Sequence, residues 1–243
     1  MKWVSFFLSL LAVLLFLAGV SLELSFSSGM AGAEMEAAVF GTQAMAGGLN
    51  LSCPLILSSS ESGLVSTIIT NSLDEQVSPL ITTEISRGEV PQSLSRTLVL
   101  APHQDQTLQW SVDDSDLIFG RLILVNVVQA RYADLDPRRG FCGIIVFDLF
   151  NLTGFELVAL VLIGGVLLIL MGGMLWLRLH APLDELAEQT LNACGGLAGV
   201  TTFAALTALP RWWGLTLFLD AFALIMLIVI FTDFLLFPRS GGN

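Results

Sequence analysis

Charge is scarce in this chain. Of 243 residues only 13% are Asp, Glu, Lys or Arg, about half the share of an ordinary soluble domain. Positive charge is the scarcer sign, with one lysine and nine arginines against 21 acids, and the formal net charge is −11. A nucleic-acid partner is therefore excluded as an expectation, because binding phosphates requires a basic footprint. Only two histidines occur, His103 and His180, and neither has a partner at ligand spacing. No HExxH, Gly-x-Ser-x-Gly, CxxC or phosphate-loop pattern is present. No catalytic, cofactor-binding or metal-ligating residues are expected, and the chain reads as a non-enzyme.

What fills the chain instead is apolar, at 54% of residues. The excess is local, in runs that call for a bilayer rather than water as solvent. Residues 1–21 hold Lys2 and then eighteen uncharged residues, WVSFFLSLLAVLLFLAGV. This segment reads as an uncleaved signal-anchor, with a cleaved signal peptide as the alternative. Residues 155–178 form a second span. Residues 182–209 open with Pro182 and the acids Asp184, Glu185 and Glu188, a favourable helix start, and continue as a short, weakly apolar third span. Pro210 ends it, Arg211, Trp212 and Trp213 form an interfacial turn, and residues 213–237 are the last span. Lys2, Arg178 and Arg239 flank one side of these spans and Arg211 the other. The positive-inside rule then puts both termini in the cytoplasm and residues 22–154 outside it, in a multi-pass protein of the cell membrane.

Between the first two spans the pattern changes. Residues 22–48 are rich in Ser, Gly and Ala and read as a linker or stalk. Residues 49–150 hold seven short runs rich in Val, Ile, Thr and Phe, separated by turn clusters such as SSSESG, APHQDQ and DLDPRRG. That spacing is the pattern of an all-β sandwich of seven strands. Thr107, Gln109 and Ser111 alternate with Leu108, Trp110 and Val112, so one face of that strand is expected buried. Fifteen acids and six arginines fall in residues 22–155, so the acidity belongs mostly to this region. It is expected to be a solvated surface.

The runs STIITNSLDEQVSPLITTEIS and LVLAPHQDQTLQWSV resemble immunoglobulin-like or fibronectin-III-like domains of bacterial surface proteins. The arrangement as a whole resembles uncharacterised bacterial membrane proteins that carry such a domain outside the cytoplasm. The resemblance covers about 100 residues, a usual sandwich length. It implies a scaffold and no particular activity.

Cys53 and Cys142 lie in the exported region and are expected to form a disulfide, with two buried thiols as the alternative. They fall in the first and last strands, which in such sandwiches often neighbour each other. Cys194, in an apolar run, is expected to be a free buried thiol. Gly164, Gly165, Gly172 and Gly173 on the second span, and Gly195 and Gly199 on the third, are spaced for close helix packing. Asp220 lies inside the last span, where a carboxylate is costly and is a functional candidate by default. Nine residues on either side of Arg211 stand Thr202 and Asp220, so a hairpin is expected to bring Thr201 and Thr202 to that carboxylate. Asp113, Asp114 and Asp116, and Asp134 with Asp136, read as turn residues rather than a calcium site. Asn50 and Asn151 match the glycosylation sequon.

These features point to a membrane protein that presents the sandwich to bind a protein or to brace a membrane complex. The alternative is an accessory subunit of a transporter or energy-coupling complex that uses Asp220.

Overall fold

The computed structural model describes residues 2–40, 48–88, 90–149, 152–181 and 185–236. Pro182, Asp184, Asn151 and Arg239 lie outside the described residues, as do the side chains of Lys2, Glu185 and Asp233. The chain divides into a helical unit, Met1–Ala31 with Ala159–Asn243, and a second unit, Gly32–Val158.

Among the described residues, four helices are long and apolar enough to cross a membrane: α1 (Lys2–Val39), α2 (Gly154–His180), α3 (Glu185–Ala208) and α4 (Trp213–Leu236). The chain is a multi-pass membrane protein. Within the helical unit Val20, Ile169, Leu197 and Ala223, one from each helix, form a buried apolar centre. The α3–α4 turn closes as the sequence requires. Pro210 cannot continue a helix, and Arg211 takes a left-handed conformation (φ 61°). The Trp212 N–H then donates back to the Thr207 carbonyl at 3.2 Å, the bond of a Schellman-type helix end. The buried hydroxyls of Thr207 and Thr216 lie 3.1 Å apart across this hairpin.

Among its described residues the second unit holds eight strands: β1 (Leu51–Ser52), β2 (Ile56–Leu57), β3 (Gly63–Thr70), β4 (Leu80–Ile85), β5 (Gln92–Thr97), β6 (Asp105–Val112), β7 (Leu122–Gln129) and β8 (Arg138–Val146). They form two sheets, β1-β3-β6 and β2-β8-β7-β4-β5. Val65, Ile69, Leu108 and Val112 from one sheet and Ile81, Ile123, Val125, Val127 and Ile144 from the other share one core. That is the sheet-on-sheet packing of a β-sandwich. On β6, Thr107, Gln109 and Ser111 are exposed, Leu108 and Val112 are buried and Trp110 is half-buried against the core.

Eight strands replace the expected seven because the first run does not stay in one sheet. Pro54 has no N–H to give a ladder. Before it β1 pairs antiparallel with β3, and after it β2 pairs parallel with β8.

Residues 22–48 correct the sequence reading more substantially. Residues 22–39 are not a linker: they continue α1, while 41–47 lie outside the described residues. Low aliphatic content was read as absence of packing, but small side chains are what a close contact needs. Ala33 and Ala37 lie against Leu122 and Leu124, on the outer face of the five-stranded sheet. A Cβ on Gly143 would strike the Ala33 carbonyl oxygen, so β8 has glycine where the helix touches it. A polar chain sits on the same face. The Arg139 Nε–H donates to Asn126 at 2.7 Å, and the Asn126 amide donates to Glu84 at 2.9 Å.

Candidate functional site

Polar side chains inside membrane helices are the natural place to look, because hydrocarbon supplies no solvent for them. Besides Thr207 and Thr216, five described side chains of the helical unit are bonded in two groups. Glu23 on α1 is fully buried. Its carboxylate accepts the Thr201 hydroxyl at 2.9 Å and the Thr202 hydroxyl at 3.1 Å, both from α3. One turn further along α1, buried Ser27 donates its hydroxyl to Asp220 Oδ1 on α4 at 2.7 Å. Asp220 Oδ2 is buried and has no hydrogen-bond partner.

The first helix can carry these groups because Glu23 and Ser27 are four residues apart and share a face. Small residues let the second helix approach that face. A Cβ added to Gly165 would stand 2.8 Å from Glu23 Cγ, and one on Gly19 would stand 2.7 Å from the Gly165 carbonyl oxygen. A Cβ on Gly172 would stand 2.6 Å from the Phe16 nitrogen and 2.7 Å from the Ala12 oxygen. Gly165 and Gly172 are thus close-approach positions between α1 and α2. Gly164 and Gly173 are not: the nearest atom to a Cβ on Gly164 is 4.0 Å away, and Gly173 meets nothing within 4 Å. A Cβ on Gly195 or Gly199 meets nothing within 4 Å, so neither is a close-approach position within this chain.

The expected pairing of Thr201 and Thr202 with Asp220 is corrected as well. Both threonines serve Glu23, and the partner of Asp220 is Ser27. The hairpin count gave the right neighbourhood, but it considered only α3 and α4. The missing element was α1, whose residues 22–39 had been assigned to a linker. A signal was available: Val20, Glu23, Ser27, Met30, Glu34 and Ala37 are all buried and recur every three or four residues, the period of a helix face.

In the second unit Cys53, just past β1, is bonded to Cys142 on β8, with an S–S distance of 2.06 Å. Cys194 is free and half-buried. The acidic turns are locally occupied. Asp113 caps a single 3-10 turn (Asp114–Asp116) by accepting the Ser115 N–H at 2.9 Å and its hydroxyl at 2.6 Å. Asp116 is buried, accepts the Asp113 N–H at 3.2 Å and lies 3.8 Å from the Arg87 guanidinium. His103 meets Asp74 at 2.8 Å on the surface. Asn50 is exposed. Between the edge strands β5 and β6 runs a groove lined by Thr83, Leu94, Arg96, Thr107 and Trp110 among others.

No protein-family model matches the chain, and no curated protein matches it. Solved structures do. One is the CARDB domain of the PF1109 protein from Pyrococcus furiosus, in complex with di-metal ions, at 10% identity and a TM-score of 0.34, covering 44% of this chain and 95% of that one. Another is a cycloisomaltooligosaccharide glucanotransferase of Paenibacillus sp., at 14% identity and 0.33, covering 43% of this chain and 14% of that one. A third is red sea bream transglutaminase, at 14% identity and 0.33, covering 42% and 15%. At these scores nothing about activity or ligand passes to this chain.

Proposed function

We propose that this protein is a non-enzymatic membrane protein whose sandwich faces the extracytoplasmic side and binds or braces another protein there. The observation that carries the reading is the Cys53–Cys142 disulfide. Such bonds form and persist in oxidising compartments, so a disulfide-bearing domain placed between membrane helices belongs outside the cytoplasm. Lys2, Arg178 and Arg239 on one side of the spans outnumber Arg211 on the other, so the positive-inside rule supports the same orientation, with both termini inside. In this reading α1 is a signal-anchor that stays, because Glu23 and Ser27 are bonded into the helical unit. The unpaired edges of β5 and β6 are surfaces on which a partner strand can add, a common mode of peptide recognition. Reporter fusions at position 100 are expected on the extracytoplasmic side and fusions at 185 in the cytoplasm. A cytoplasmic reporter at 100 overturns the reading. Crosslinking with a membrane-impermeant reagent is expected to trap the partner, an extracytoplasmic protein.

A second reading is favoured by one observation, the buried and unpartnered Asp220 Oδ2. An ionisable group in a span marks an ion or proton pathway by default, and the chain would then be an accessory subunit of a transport or energy-coupling complex. Isolation of the protein from membranes under mild conditions separates the two readings: a channel or pump as partner supports the second, and a surface protein the first.

A further inference from the structure

We infer that Glu23, Ser27, Thr201, Thr202 and Asp220 form an intramembrane binding site for a hard monovalent cation, a proton or a sodium ion. The inference rests on reading the four helices as membrane spans, and it deepens the transport reading by naming what the site holds.

The first support is the donor set. Two carboxylates and three hydroxyls, contributed by α1, α3 and α4, form two hydrogen-bonded groups at 2.7–3.1 Å, Glu23 with Thr201 and Thr202 and Asp220 with Ser27, and α1 places Glu23 and Ser27 one turn apart on one face. Oxygen donors of this kind suit hard cations and have little affinity for soft ones. The second support is incomplete saturation. Thr201 and Thr202 serve Glu23, and Ser27 serves one oxygen of Asp220, but Asp220 Oδ2 is enclosed and has no donor. A buried carboxylate oxygen without a donor is a costly arrangement, and a bound cation supplies what it lacks. The third support is charge. The ion pairs Arg87–Asp116 and His103–Asp74 lie in the other unit. Arg178 stands at the end of α2 and Arg211 in the α3–α4 turn, so no lysine or arginine lies on the helical stretches that bear the site. The fourth support is space. Gly165 stands where any side chain would strike Glu23, so α2 leaves the room that the carboxylate occupies.

Among the described residues, the titratable groups bonded in the site are Glu23 and Asp220 themselves. α2 presents Gly165 there, and α3 carries Cys194 two turns before Thr201. Proton and sodium are two occupants of one chemistry, and they respond differently to the medium.

The test is carbodiimide labelling, which modifies protonated carboxyls in apolar surroundings. The full-length protein is held in lipid nanodiscs and the adducts are located by peptide mass spectrometry. In choline chloride an adduct is expected on Glu23 or Asp220, falling about tenfold per pH unit once pH passes the group's titration. If sodium is the occupant, replacing choline by sodium suppresses the adduct at fixed pH and raises the thermal midpoint. If only the proton binds, the two salts give the same profile. Glu23→Gln and Asp220→Asn are each expected to remove their own adduct while the protein accumulates normally and keeps its disulfide. An adduct indifferent to both pH and sodium overturns the site. So does the lack of any adduct together with a thermal midpoint that sodium does not move. Neither result bears on whether the protein joins a transport complex, which the membrane isolation tests separately.

Discussion

Ser27 on the first helix donates its hydroxyl to Asp220 on the last at 2.7 Å, across 193 residues of chain. The first helix is thereby a bonded member of the membrane unit. Loss of this bond by Ser27→Ala is expected to weaken the unit by about 0.6 kcal/mol, and by no more than ~1.7 kcal/mol, the measured range for hydrogen bonds between membrane helices. Asp220→Asn keeps an acceptor for Ser27 and is expected to insert and accumulate normally. A double-mutant cycle of Ser27→Ala with Asp220→Ala, which removes the acceptor, is the measurement, made in detergent. A coupling of zero means the bond does not form.

Gly172 and Gly173 are adjacent but face different surroundings. A Cβ on Gly172 meets the backbone of Phe16 and Ala12, and one on Gly173 meets nothing within 4 Å. Gly172→Leu is expected to destabilise by at least ~1–3 kcal/mol, as overpacking does, while Gly173→Leu, pointing outward, leaves the thermal midpoint near that of the wild type. Equal effects would contradict the α1–α2 contact.

The three cysteines differ in state, and counting them is direct. Denatured but unreduced protein is expected to take up one maleimide, on Cys194, and reduced protein three. The bond spans a sequence separation of 89 residues, and in the entropic account a loop of that size contributes about 4 kcal/mol. The Cys53→Ser/Cys142→Ser variant is expected to lose stability on that scale in chemical denaturation.

Asp113 and Asp116 cap one turn yet are shifted in opposite directions. Burial is the main reason that the Asp116 carboxyl lies above its ordinary range. The folded protein therefore holds that proton more tightly than the unfolded chain. The associated stability is fully present below the unfolded value of about 3.9 and is lost as pH rises through the folded one. For Asp113, the Ser115 hydroxyl and then the Ser115 N–H hold the carboxyl low. Its contribution is present above about 3.9 and is lost as pH falls through the folded value. Asp116→Asn keeps an acceptor for the Asp113 N–H and removes only the first component. The variant is expected to gain on the wild type as pH rises from about 4 to 7. A difference that is flat or falls with pH would sink the assignment.

The sequence by itself determined the features that depend on local composition and period. Long runs of Leu, Val, Ile and Phe have no stable state in water, so four helices were legible. Pro210 before Arg211 could only end a helix, so the hairpin was legible too. The alternation from Thr107 to Val112 could only be a half-buried strand. Two cysteines in one β-rich stretch already indicated a bond. Tertiary structure alone decided which partner each group finds. Ala33, Ala37 and Gly143 are too small to signal burial by hydrophobicity, and only the closeness of helix and strand makes them a contact. The same smallness hid residues 22–39 as part of α1, and with them Glu23. Once α1 is in place, the nearest carboxylate to Thr201 and Thr202 is Glu23 and the nearest hydroxyl to Asp220 is Ser27. A hydrogen bond is fixed by distances of about 3 Å, which no count along a single hairpin can supply when the deciding group lies nearly 180 residues away in the chain.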